Sequence, residues 1–121
     1  MKMLNDKISV KIPNKADYIS LVRLISSAVG SRVGYNVDEI DDLKVAMGEA
    51  CILSFLPDVS DEVEISFEIL KEKLEISIGG HNSFDSIEET KEAKLSKMII
   101  ESLMDEAYYL DEQIRMVKYI D

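Results

Sequence analysis

A single cysteine, Cys51, is all the thiol chemistry in this chain, which excludes an internal disulfide and fits a reducing cytoplasm. Histidine is as scarce. His81 stands alone, with no neighbouring set of Cys, His or Asp to complete a metal site, and reads as a loop residue. Positive charge is short: 14 Lys and Arg face 24 Asp and Glu, a net charge of −10. That balance argues against a nucleic-acid binder, which needs a basic surface to displace counterions, and against an acidic membrane surface. It suits a basic protein partner met through complementary fields, or simply keeps the chain soluble. No apolar run approaches the ~18 residues of a membrane span. Met1 to Asp6 has no apolar stretch or cleavage site of a signal peptide, so the expected location is cytoplasmic. Repeats, Gly/Ser linkers and low-complexity tracts are missing too, and residues 1–121 read as one domain able to bury a core.

What is present is periodicity. Ile8, Val10 and Ile12 alternate in a half-buried strand over 7–12 that Pro13 ends. Asn14 is a candidate cap for a helix whose stripe is Tyr18, Leu21, Val22, Ile25, Ala28 and Val29, fraying between Gly30 and Gly34. Asn36 and Glu39 form a capping box for a second helix. Its buried face carries Ile40, Leu43, Met47, Ala50, Cys51 and Phe55, and Pro57-Asp58 stops it. Strands over 63–69 and 74–78 flank a turn at Leu70 to Lys73. Gly79 to Ser83 is loop by composition. Ser86 and Glu89 match a third capping box, for a helix over about 87–106 with a stripe of Leu95, Met98, Ile99, Leu103 and Ala107. Met47, Met98 and Met104 read as core fillers. Tyr108 to Ile120 reads as two strands about a turn near Asp111-Glu112. This order predicts an α/β two-layer sandwich: a mixed, mostly antiparallel sheet covered on one face by three helices.

The run Ser31-Arg32-Val33-Gly34-Tyr35 and then Asp38 to Cys51, with Gly48-Glu49-Ala50-Cys51 at its end, resembles the ATP-binding helix of the RsbW and SpoIIAB type of anti-sigma serine kinase, in the wider GHKL group of histidine-kinase-like ATPases. Other pieces fall in the same order. Ile12-Pro13 and Tyr18 to Leu24 resemble the first strand and helix, and Ser83-Phe84-Asp85 the end of the second ATP motif. Ser102-Leu103-Met104-Asp105-Glu106 resembles the third-helix signature, and Met116 to Tyr119 the closing strand. The resemblance implies the Bergerat-type sandwich and makes Glu49 the general base. It also implies a homodimer that binds a sigma factor or an anti-anti-sigma protein, and places Arg23 and Arg32 in the region of partner contacts. The bland alternative for each arginine is a solvent-exposed charge.

Three departures weaken the implied chemistry. Leu53 stands where the resemblance calls for the magnesium-holding asparagine, and an apolar side chain offers no oxygen to Mg²⁺. Gly79-Gly80-His81-Asn82 stands where an aspartate would read adenine; the glycines keep the room for a ring, and Asn82 is left as the only amide oxygen. No glycine lies between Phe84 and Leu95, where a glycine-rich lid would cradle phosphates. Glu88, Glu89 and Glu92 would repel a triphosphate, and Lys91, Lys94 and Lys97 read as a solvated face with local ion pairs before phosphate binders. With metal and nucleotide both in doubt, Glu49 has nothing to act on, since phosphoryl transfer depends on metal and positioning more than on the base. The implied function is an anti-sigma-like regulator that works by binding, with no cofactor. One alternative is an active serine/threonine kinase that uses ATP and Mg²⁺ with Glu49 as base. Another is a non-catalytic dimerisation subunit for a kinase paralogue. Cys51 reads as core in all three.

Overall fold

The computed structural model describes residues 5–54, 62–79, 90–110 and 113–121. The alternating segments become strands β1 (Asp6–Pro13), β2 (Glu62–Ile69), β3 (Lys73–Gly79), β4 (Glu106–Tyr109) and β5 (Gln113–Tyr119). They form one sheet in the order β1-β2-β3-β5-β4, and every pairing is antiparallel. The register lines Val10, Ile65, Ile78 and Ile114 across four strands, and Phe67, Ile76 and Met116 across three. Because side chains alternate faces, Ser9, Ser66, Ser77 and Arg115 form the matching row on the other face. Ile65, Phe67, Ile76, Ile78, Ile114 and Met116 are fully buried. Burial of each such side chain stabilises the fold by about 1.5–3 kcal/mol.

Helices α1 (Ile19–Val33), α2 (Val37–Ser54) and α3 (Lys91–Leu103) cover the apolar face, with α2 packed between the other two. The result is the two-layer α/β sandwich expected, with a sheet more uniformly antiparallel than the sequence suggested. α2 opens on the capping box as read. The Glu39 amide donates to Asn36 Oδ1 at 2.8 Å and the Asn36 amide to Glu39 Oε1 at 2.9 Å. α1 ends in a left-handed cap at Gly34 (φ 92°), where the Tyr35 amide returns to the Gly30 carbonyl at 3.0 Å. That turn points Tyr35 into the core. Its hydroxyl donates to the Lys118 carbonyl at 2.8 Å, tying the α1–α2 junction to β5. The buried Lys118 ammonium reaches the Leu103 carbonyl at 3.4 Å, at the negative end of α3.

Several expectations need correction. Asn14 does not cap α1: a 3₁₀ turn at Ala16–Tyr18 intervenes, and α1 begins at Ile19 with no side-chain cap. The buried positions of α1 are Val22, Ser26, Val29 and Gly30, while Tyr18, Leu21 and Ala28 face outward. Ser26 can be buried because its hydroxyl donates to the Val22 carbonyl at 2.8 Å. α3 spans less than 87–106. Its cap is Thr90, which accepts from the Ala93 amide at 3.0 Å. Its buried face is Ala93, Ser96 and Ile100, so Leu95 (57% exposed) and Met98 (67%) lie outside the core assigned to them. Ala107 belongs to β4. Phe55, Pro57, Gly80, His81, Asn82, the Ser83–Asp85 and Ser86/Glu89 matches, and the Asp111-Glu112 turn lie outside the described residues.

Candidate functional site

α2 carries the residues on which the chemistry would turn, and its helical phase sorts them. Glu49 and Leu53, four apart, share the flank toward α3; Gly48 and Cys51 lie on the flank toward α1. On the α3 flank the half-buried Glu49 takes a hydrogen bond from Ser96: Ser96 Oγ donates to Glu49 Oε1 at 2.8 Å. Ser96 is itself buried on the inner face of α3. The carboxylate that the sequence offered as a general base thus already has a hydroxyl partner within the chain. Leu53 is 4% exposed and packs into the core. Its side chain carries no oxygen, so this position does not fit a ligand for a hard cation such as Mg²⁺. Among the described residues no group of three or more His, Cys, Asp or Glu could hold a metal.

The α1 flank has a different design. A methyl group built on Gly48 would lie 2.6 Å from Arg23 Nη2 and 2.8 Å from Nε. The Arg23 guanidinium therefore rests on the bare backbone of α2, a placement open only to a residue without a Cβ. Among the described residues no carboxylate pairs with it. Leu24 on α1, and Val45 and Ile52 on the outward face of α2, are exposed on these two helices. Arg32 lies nine residues further along α1, half a turn round, so the two arginines point to opposite sides. Arg32 sits in the last turn, where its charge complements the helix C-terminus.

Cys51 is fully buried, and burial pushes its thiol up to about 12, against a smaller lowering by the Arg23 charge. The thiol is expected not to react with an aromatic disulfide reagent at pH 8 until the chain is unfolded; stoichiometric labelling of the native protein would contradict this. The unfolded thiol ionises near pH ~8.5 and the folded one does not, so Cys51's contribution to stability is full below that point and is lost as pH rises toward about 12.

The structure sets Glu49 against α3 and Arg23 against the other flank of α2, and places Gly79 in β3, buried and paired with Glu64 and Gln113. Gly80 and Asn82 lie outside the described residues. Sequence reasoning missed Ser96 and Gly48. A glycine in mid-helix costs about 1 kcal/mol relative to alanine, and that cost was a usable signal of a close contact. Ser96 gave none.

No protein-family model matches the chain. Known proteins do. The chain is 31% identical to the serine-protein kinase RsbW of Bacillus subtilis over 144 residues, which take in the whole chain and 90% of the relative. RsbW of Listeria monocytogenes gives 31% over 100% of the chain and 92% of the relative, and RsbW of Staphylococcus aureus 33% over 99% and 91%. An alignment of 144 residues onto a chain of 121 means the B. subtilis relative carries at least 23 aligned positions that this chain does not. With identity at this level spread over nearly all of both sequences, this chain belongs to the RsbW serine-protein kinase family.

Proposed function

We propose that this chain is an anti-sigma-type regulator that works by binding a protein partner, a sigma factor or an anti-anti-sigma protein, without phosphate transfer. The observation that carries the reading is Leu53, buried in the core on the flank of α2 that it shares with Glu49. Two others support it: Glu49 is engaged by Ser96, and the chain is shorter than its relatives within the aligned span. The binding surface in this proposal is centred on Arg23, with Leu24, Val45 and Ile52 around it. A guanidinium held in place by the helix beneath it is a suitable anchor for a partner carboxylate, and exposed apolar side chains beside it supply area. The homodimer implied by the resemblance belongs to the same proposal. Retention of Glu49, and the kinase name of the relatives, favour the second reading, an active serine kinase.

Titration calorimetry with ATP and ADP, each with and without Mg²⁺, separates the two. The binding reading expects no heat and no thermal stabilisation from nucleotide, with capture of a sigma factor unchanged by its addition. Micromolar, magnesium-dependent binding followed by phosphorylation of a partner serine would establish the kinase instead.

A further inference from the structure

We infer that Glu49 serves in this chain as the acceptor of a latch that seats α3 on α2, with Ser96 as its donor, and so acts as a positioning residue. The contact joins two helices whose sequence positions are 47 residues apart, and Ser96 is 5% exposed, so the hydroxyl is committed to it. Among the described residues, apolar side chains flank this contact: Ala46 and Leu53 are buried on the matching flank of α2, and Ala93 and Ile100 on the inner face of α3. Apolar contacts of this kind hold helices together but tolerate sliding and rotation. A hydrogen bond from a buried hydroxyl to a carboxylate fixes one register. One carboxylate oxygen, Oε1, is held by a serine of the same chain, which ties the Glu49 side chain to α3.

The test is amide hydrogen exchange across α3, with α1 as the internal reference, in Glu49→Gln, Glu49→Ala, Ser96→Ala and the Glu49→Ala/Ser96→Ala double variant. The glutamine amide oxygen still accepts from Ser96, so Glu49→Gln is expected to exchange like the unmodified protein. Loss of either partner is expected to speed exchange in Lys91–Leu103 about tenfold with α1 unaffected. The double variant should be no faster than either single, because both remove one interaction. If Glu49→Gln opens α3 as much as Glu49→Ala, or if the double variant reaches the product of the singles, the latch is overturned. Should Glu49→Ala not fold, Ser96→Ala alone and on the Glu49→Gln background distinguishes the same outcomes: equal acceleration in both supports the latch, and none overturns it. The inference rests on the reading that Glu49 has no phosphoryl group to work on. Phosphate transfer by the unmodified protein that Glu49→Gln abolishes would overturn that reading, whereas unchanged exchange in a chain that transfers none overturns the latch alone.

Discussion

Leu53→Asn is expected to lower the stability of the chain by about 3–5 kcal/mol and to create no magnesium site. Leu53 is nearly all buried and belongs to the core, so the exchange removes an apolar side chain worth about 2 kcal/mol of transfer free energy. It also strands an amide among hydrocarbon, at a further cost of about 1–3 kcal/mol. Urea unfolding should show the midpoint falling with the slope unchanged, the signature of lost stability in an otherwise similar fold. Calorimetry with Mg-ATP should remain silent, because one oxygen does not restore an adenine acceptor or a phosphate cradle. A variant as stable as its parent that binds Mg-ATP would mean the site lacked only that ligand, and the proposed loss of chemistry would be wrong.

The second large effect concerns binding. Arg23→Glu is expected to weaken capture of the sigma-type partner by about a hundredfold, the scale of an arginine anchor replaced by an opposing charge. Arg32→Glu, on the other side of α1, should change it by no more than about threefold. Gly48→Ala provides a sharper test. Its methyl group cannot coexist with the guanidinium at 2.6 Å, but the atoms it meets are the far end of a mobile side chain, which can swing away. Alanine also gains about 1 kcal/mol of helix propensity over glycine. The variant should therefore be as stable as its parent or more so, and yet bind its partner at least tenfold more weakly. Surface plasmon resonance beside thermal unfolding reads both. Unimpaired binding in Arg23→Glu would remove Arg23 from the interface, and full affinity in Gly48→Ala would show that the guanidinium needs no seat.

Strands β2 and β3 were legible because each buries one face only, so Val63-Ile65-Phe67 and Leu74-Ile76-Ile78 alternate cleanly. The Asn36–Glu39 box was legible because both partners lie within four residues. α3 was placed but turned wrongly. Its true inner face contains Ser96, which looks polar and exposed until its partner on α2 is known, while Leu95 and Met98 look buried and are not. Arg23 could be named as a candidate but not seated, since nothing in the order of residues says that it meets Gly48. Contacts between helices are the information that a single chain's periodicity does not carry.

The pairing of β1 has a consequence for the time course of folding. Asp6 aligns with Ile69 and Pro13 with Glu62, so the first strand has no partner until α1, α2 and β2 have been made. Hairpin β2–β3 can form from neighbouring residues, and β5 can join β3 with α3 in place, all without β1. Closing so long a loop carries an entropic cost that local contacts do not, and such pairings slow folding. β1 is thus expected to be the last strand to dock, and until it does β2 is an unpaired edge. Once paired, β1 is itself an edge of the sheet, and the exposed Lys7 and Lys11 along it are the charges that discourage neighbouring chains from pairing there.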